Sequence, residues 1–575
     1  MTLQGSASAT RQWSYSSGTS DTPLLGLTIG NMFDKTAATY PDQPALISRH
    51  QQIRLTYREL QAQVNQCARA MLHMGITQGK RVGIWSPNRA EWCITQFATA
   101  KLGAVLVNIN PAYRLNEIEY VLNQSECSAL VIAAAFKSSN YTEMIATLAP
   151  ELEHSEVGRL RAEKLPSLTT VIRMGEDRVS GMLPWAELMT MGDLVSEDDL
   201  QTVQREQQFD WAINIQYTSG TTGFPKGATL SHHNILNNGY FVARLQNITE
   251  RDKICIPVPL YHCFGMVMGN LGCITHGAAM VYPAEGFEPK ATLEAVQEER
   301  CTSLYGVPTM FIAELAHPDF KQYDFSSLRT GLMAGSPCPI EVMRRVNTEM
   351  HMPEVEIAYG MTETSPVSTQ TQIDSPLAKR VGTVGLTTPH LESKIIDPAT
   401  DQIVPIGQPG ELCTRGYSVM LGYWNNPQAT AKAIDQARWM HTGDLATMDE
   451  EGYINIVGRI KDMIIRGGEN VYPREIEEFL YTHPKINDVQ VIGVPDAKYG
   501  EEIMAWVQLK AGESATPEEI RAFCQGQIAH YKIPRYIKFA TGFPMTVTGK
   551  IQKFLMRQQS IEELGLQSAA SIETA

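Results

Sequence analysis

Tyr217-Thr218-Ser219-Gly220-Thr221-Thr222-Gly223-Phe224-Pro225-Lys226-Gly227 places small hydroxyls, three glycines and one lysine directly behind an alternating apolar run, Trp211 to Tyr217. This composition predicts a loop that holds phosphate. Glycine lets the backbone turn sharply and bring its N–H groups close to an anion, serine and threonine hydroxyls donate to phosphate oxygens, and lysine adds a mobile positive charge. The spacing excludes a Walker A loop, because Lys226 follows Phe224-Pro225 and precedes Gly227. The bland alternative is a solvated turn between a strand and a helix.

Bulk properties narrow the class. A chain of 575 residues exceeds one ordinary core, so two or more unequal domains are expected. With 43% hydrophobic and 19% charged residues the chain reads as globular. A net charge of −14 argues against a nucleic-acid-coating protein or a polybasic membrane binder. One stretch runs against that balance. Between Ala522 and Ile561 there is no acidic residue, while Lys532, Arg535, Lys538, Lys550, Lys553 and Arg557 are basic. Such an island suits a polyanion such as a nucleotide or CoA, or is a solvated face. No aromatic stacking platform accompanies it, so a nucleic-acid partner is not expected. The ten cysteines form no Cys-x-x-Cys pair and read as buried, reduced thiols. No apolar run approaches a membrane span, and the first 25 or so residues, rich in Ser, Thr and Gly with Arg11 the only basic residue before Lys35, have neither the arginine content of a transit peptide nor the apolar stretch of a secretory signal. A cytoplasmic protein is the expectation.

From Leu27 to about Asp210, apolar runs (Arg81 to Trp85, Gly103 to Asn108, Ala129 to Ala135) alternate with helical patterns such as Tyr57 to Leu72. This is the rhythm of α/β layers with mainly parallel strands. It continues through Lys253 to Val258, Ala278 to Tyr282 and Ser303 to Val307, and from Gly410 onward glycine-rich strands predict a β subdomain. The expected division is a flexible segment over 1–26, a large α/β domain over 27–461 with layered sheets and that β subdomain, and a small mobile α+β domain over 462–575.

Further motifs follow in order. Pro259-Leu260-Tyr261-His262-Cys263-Phe264-Gly265 sets a histidine among aromatic and small residues, where a satisfied core histidine is the commoner reading. Ala334-Gly335-Ser336-Pro337 and Tyr359-Gly360-Met361-Thr362-Glu363 offer a flat ring, a hydroxyl and a hard carboxylate ligand, although Thr362-Glu363 alone reads equally as a helix cap with its first-turn acid. Trp439-Met440-His441-Thr442-Gly443-Asp444-Leu445 carries an aspartate able to hold two vicinal hydroxyls, or a plain turn aspartate. Arg459 and Asp462, the paired Gly467-Gly468, and Lys550 within Pro544-Met545-Thr546-Val547-Thr548-Gly549-Lys550 complete the series.

In this order the motifs resemble the adenylate-forming superfamily, and across Leu27 to Lys553 the AMP-forming acyl-CoA synthetases, with the medium-chain fatty-acyl branch looking nearest. The resemblance implies ATP-dependent conversion of a fatty acid to acyl-AMP and then acyl-CoA, with Mg2+ as cofactor and ATP and CoA as cosubstrates. By it, Thr218 to Lys226 (Thr218, Ser219, Gly220, Thr221, Thr222, Gly223, Phe224, Pro225, Lys226) hold phosphate. Gly335, Ser336, Tyr359 and Gly360 form the adenine and adenylate site. Thr362 serves the α-phosphate, Glu363 the metal, and His262 borders the acyl pocket. Asp444 accepts hydrogen bonds from the ribose hydroxyls, Arg459 reaches the ribose or phosphate side, Asp462 is the hinge, Gly467 and Gly468 line the pantetheine channel, and Lys550 stabilises charge as the acid attacks the α-phosphorus. Met266, Met268, Met333 and Met361 are candidates for an adaptable acyl wall, or ordinary core filler. An aryl or branched acid, a carrier-protein acceptor, a luciferase-like oxidation of the adenylate and a non-catalytic adenylate sensor are the competing readings. A homodimer is common among soluble enzymes, and no feature of the sequence decides for one.

Overall fold

Apolar runs with no polar alternation need cover on both faces, and the fold supplies it. The computed structural model describes residues 11–218, 225–336, 338–466, 469–496, 498–546 and 549–567. In an eight-stranded sheet, Arg81–Trp85 lies parallel between Ala129–Ile132 and Val105–Asn108, and the latter pairs with Ala212–Thr218. In a nine-stranded sheet, Lys253–Cys255 runs parallel between Ala279–Tyr282 and Ser303–Gly306, followed by Thr330–Ala334 and Glu354–Gly360. Every residue of Val105–Asn108, Ala129–Ile132, Ala279–Tyr282 and Ser303–Gly306 is buried, as parallel strands covered on both faces require.

The helix Ala90–Leu102 is buried on nearly all sides and contacts both sheets, its Cys93 lying 3.9 Å from Met280. Its one cation, Lys101, is 2% exposed and held by Asp34 at 2.5 Å. A third, antiparallel sheet joins Leu391–Ile396, Gly410–Gly416, Met440–Met448 and Ile454–Arg459. Beyond the short turn Ile460–Asp462, strands Ile464–Arg466, Glu469–Val471, Ile486–Asp496, Gly500–Leu509 and Tyr536–Phe539 form a sheet around a core of their own, which includes Val489, Val491, Ile503 and Ile520. Among the described residues no helix is long and apolar enough to cross a membrane.

One expectation is corrected. Within the segment taken to be flexible, Tyr15–Ser17 adds an edge strand to the third sheet against Leu391–Ile396, and Tyr15 donates its hydroxyl proton to Glu392. Short polar residues satisfy a sheet edge through backbone hydrogen bonds alone, so composition did not reveal the pairing. The strand-to-helix turn weighed as the bland alternative to a phosphate loop is not what the described flanks form. Ala212–Thr218 and Lys226–Ser231 pair antiparallel with Thr218 opposite Lys226, so the motif spans the end of a hairpin. The helix His232–Leu245 starts only afterwards, behind a capping box in which Ser231 Oγ accepts from Asn234 N–H at 3.1 Å and Asn234 Oδ1 accepts from Ser231 N–H at 2.8 Å.

Candidate active site

The C-terminal ends of parallel strands are where open α/β sheets place ligands, and two adjacent strands deliver motifs there. Thr330–Ala334 leads into Gly335-Ser336, and its neighbour Glu354–Gly360 ends in Tyr359-Gly360. At Gly360 a Cβ would stand 1.8 Å from the Pro366 carbonyl oxygen, so the strand can bulge there only as glycine. Gly335 sits at φ +91°, also outside the range of ordinary side chains.

Tyr359, expected as a flat face for a purine, is additionally tied to the candidate ribose carboxylate: its hydroxyl donates to Asp444 Oδ2 at 2.7 Å. Arg459 stands across the strand pair from Asp444 and donates through Nε to Oδ1 at 3.0 Å. Burial pushes the Asp444 carboxyl above its ordinary range, and the charge of Arg459 opposes that. Asp444 belongs to a bulge. Glu411 pairs with Leu445 and Cys413 with His441, so Thr442, Gly443 and Asp444 on one strand stand against the single Leu412 on the other, two residues in excess. Thr442 Oγ1 donates to the Leu412 carbonyl at 2.6 Å and accepts from Asp444 N–H at 3.1 Å.

Thr362 and Glu363 lie in the buried turn that follows. Glu363 Oε1 accepts from Thr218 Oγ1 at 3.2 Å and from the Tyr423 hydroxyl at 2.8 Å. Tyr423 was not singled out from the sequence. Its ring also lies under the Lys226 ammonium, 5.3 Å from the centroid, and it thereby links the phosphate-loop lysine to the candidate metal carboxylate. A tyrosine after glycine in Gly422-Tyr423-Trp424 carries no spacing signal that points to either partner.

Lys550 follows a tight turn in which Thr546 N–H donates to the Lys550 carbonyl at 2.8 Å and Lys550 N–H to Thr546 Oγ1 at 3.1 Å, with Gly549 at φ +76°. The turn reaches the large domain: Thr309 Oγ1 donates to the Gly549 carbonyl at 3.3 Å, and a Cβ at Gly335 would lie 3.9 Å from Lys550 Cε. Burial holds the Lys550 amine below its ordinary range, with Arg459 adding to the shift and the charges of Glu363 and Asp444 opposing it. His262 responds to the same cation. Burial first, then Lys550, pushes its imidazole down to about 3, so it is neutral and accepts from Phe264 N–H at 3.2 Å. Beside it, Cys263 Sγ lies 3.7 Å from Thr362 Oγ1. The π-helical turn Phe264–Leu271 begins here, and Gln96 donates to the Met266 carbonyl at 3.2 Å. Such turns occur often at functional sites.

The basic island is rebalanced by acids from elsewhere in the chain. Lys532 pairs with Glu475, Arg535 with Asp496, Lys538 with Glu563, Lys553 with Glu477 and Arg557 with Glu501. Of the island's cations, Lys550 alone makes no carboxylate ion pair within 4.0 Å among the described residues. The methionine wall is not one surface: Met266 and Met268 belong to the core beside the first sheet, where Met361 packs, whereas Met333 lies in the second core. Ser219, Gly220, Thr221, Thr222, Gly223 and Phe224, and likewise Gly467 and Gly468, lie outside the described residues. Pro225 leads into the second hairpin strand, and its carbonyl accepts from the Tyr120 hydroxyl at 3.2 Å. Asp462 closes the short turn between the domains.

Comparison with known proteins adds the context. The profile of the AMP-binding enzyme family matches residues 33–424, and that of the AMP-binding enzyme C-terminal domain matches residues 475–550. YngI of Bacillus subtilis (strain 168) is 50% identical over 95% of this chain and 99% of its own length. The mitochondrial medium-chain acyl-CoA ligase ACSF2 of Danio rerio is 46% identical over 96% of this chain and 91% of its own. Among solved structures, an anthranilate CoA ligase in complex with anthranoyl-AMP superposes with a TM-score of 0.84 at 26% identity, covering 95% of this chain and 99% of that one.

Proposed function

The chain belongs to the AMP-binding enzyme family, and on that premise we propose that it activates a fatty acid of medium chain length with ATP, forming acyl-AMP and then acyl-CoA with release of pyrophosphate and AMP. One observation carries the reading. Lys550, Glu363, Asp444 and Arg459, from four segments and both domains, gather at the same strand ends: Arg459 Nε donates to Asp444 Oδ1 at 3.0 Å, Tyr359, four residues before Glu363, donates to Asp444 at 2.7 Å, and a Cβ at the neighbouring Gly335 would lie 3.9 Å from Lys550 Cε.

In the first half-reaction the acid's carboxylate oxygen bonds to the α-phosphorus of ATP as the bond to pyrophosphate breaks. Lys550 stabilises the negative charge that builds on the transferring group. Asp444 accepts from the ribose hydroxyls, held in place by Tyr359 and Arg459. Lys226, with Thr218 across the hairpin, faces the polyphosphate. The neutral His262 borders the acyl carboxylate without repelling it or adding charge. Glu363 fits a hard cation, because its hydrogen bonds from described side chains fall on Oε1 and Oε2 is left to ligate. Mg2+ bound there would neutralise phosphate charge.

In the second half-reaction the CoA sulfur attacks the acyl carbonyl and AMP departs. The domain beyond the 461/462 boundary turns about Asp462, withdraws Lys550 and presents Gly467 and Gly468. Ten free, buried cysteines support a reducing compartment such as the cytoplasm. Aryl acids are the second reading, favoured by the anthranoyl-AMP complex of the superposed ligase.

The test is incubation with Mg-ATP, CoA and acids from acetate to palmitate plus benzoate, with AMP and acyl-CoA followed by mass spectrometry. AMP and acyl-CoA peaking among medium chains are expected. Adenylate without thioester would point to a carrier-protein acceptor, a benzoate maximum to the aryl reading, and no AMP from any acid would overturn catalysis altogether.

A further inference from the structure

Across the bulge that carries Asp444, the strand register sets Cys413 directly opposite His441. Glu411 stands two residues before Cys413, on the same face of its strand. Opposed residues on one face of a sheet lie close enough for their side-chain ends to meet. His441 Nδ1 is 2.9 Å from Glu411 Oε2 and 3.6 Å from Cys413 Sγ, and the three donor atoms lie within 4.8 Å of one another. Among the described residues this is the one cluster of three such donors. Sulfur at about 2.3 Å and nitrogen or oxygen at about 2.0 Å from a tetrahedral ion stand roughly 3.3–3.6 Å apart, which the Sγ–Nδ1 separation meets, while Nδ1 and Oε2, now at hydrogen-bond distance, would open by a few tenths of an ångström.

The surroundings point the same way. Asp435 Oδ2 stands 4.0 Å from His441 Nε2, beyond hydrogen-bond reach but on the side where a small turn of the ring would let it accept from Nε2 and orient a metal-binding imidazole. Glu411 Oε1 accepts from Gly443 N–H at 3.0 Å, which fixes the carboxylate. A structural Glu411–His441 hydrogen bond explains neither the thiol aimed at Nδ1 nor the acid behind Nε2. Lys394 faces Cys413 from the neighbouring strand, but its ammonium is held over the Trp439 ring, 4.5 Å from the centroid. His441 keeps 26% of its side chain exposed, which leaves a way in.

We propose that Glu411, Cys413 and His441 bind Zn2+, or a similar divalent ion that accepts sulfur and nitrogen, with water as the fourth ligand. Binding releases the thiol proton and the proton between His441 and Glu411 to solvent, and no redox step is involved.

The test titrates the metal-free full chain with Co2+. A thiolate-to-cobalt charge-transfer band saturating at one equivalent and abolished by Zn2+ is expected, with no band in Cys413→Ser. Asp435→Asn should weaken binding about tenfold or more. Absence of the band from the wild type, or its persistence in Cys413→Ser at unchanged melting temperature, would overturn the site. Neither reading needs turnover, so failure of the acyl-CoA assignment would leave the result standing.

Discussion

Replacing Tyr423 by phenylalanine removes one oxygen and keeps the ring, so it isolates the hydrogen bond from Tyr423 to Glu363 while the Lys226 contact with the ring persists. The lost bond, 2.8 Å to Oε1, reaches a carboxylate, and hydrogen bonds to charged groups contribute about 1.5–3 kcal/mol. Thr218 still donates to the same oxygen at 3.2 Å, which argues for the lower end. About 1.5 kcal/mol is roughly a tenfold change in an equilibrium constant. Burial, reinforced by the charge of Glu363, raises the Tyr423 phenol far above its ordinary range, so it donates at any working pH and the effect should not titrate. The assay is ATP–pyrophosphate exchange against free Mg2+ at fixed ATP. Tyr423→Phe should raise the Mg2+ needed for half-maximal rate about tenfold while leaving the melting temperature nearly unchanged. In a Glu363→Gln background the same substitution should do little, because the two residues act through one bond. An unshifted Mg2+ dependence, or full additivity in the double variant, would refute the reasoning.

Lys550→Ala should abolish acyl-AMP formation while sparing much of the thioester formation from supplied acyl-AMP, and equal loss of both would show the residue misassigned. The same lysine must be charged to act and is held below its ordinary range, so activity of the free enzyme should fall on the alkaline side at a lower pH than for an exposed lysine. An alkaline limb in kcat/KM that Lys550→Arg shifts upward checks this. Glu356 is buried, with Oε1 unpaired among the described residues and a carboxyl raised well above its ordinary range by burial. A folded acid that binds its proton more tightly than the unfolded one favours folding at low pH, so its contribution declines as pH rises from the ordinary glutamate range toward its folded value. Glu356→Gln should remove that decline, seen as a smaller difference in melting temperature between mildly acidic and mildly alkaline buffer than the wild type shows. Gly360→Ala should destabilise by about 1–3 kcal/mol, as expected for forced overpacking, and denaturant unfolding measures it.

What was legible in the sequence is what neighbours along the chain decide. Periodicity marked the strands Arg81–Trp85 and Ala129–Ile132 and the helix Tyr57–His73, because burial on two faces or on one stripe writes a local pattern. The candidate residues Asp444, Arg459, Glu363 and Lys550 were legible because each sits in a short string of glycine, threonine and charge that few other tasks require. Strand boundaries were not. Gly103, assigned to a strand, caps the preceding helix at φ +67°.

Tertiary structure decided the rest. The phosphate-loop motif reads alike before a helix or inside a hairpin, and only the pairing of Thr218 with Lys226 selects the hairpin. An acid-free stretch looks like a polyanion site until Glu475, Glu477, Asp496 and Glu501 arrive from other elements and leave Lys550 as the cation without a carboxylate partner among the described residues. Tyr423 reaches Glu363 across 60 residues, Thr218 across 145, and His441 reaches Glu411 across 30. Such contacts depend on register and packing, which fix distances in space that sequence separation does not encode. The sequence by itself therefore determined which chemical groups this protein has, and the fold decided which of them meet.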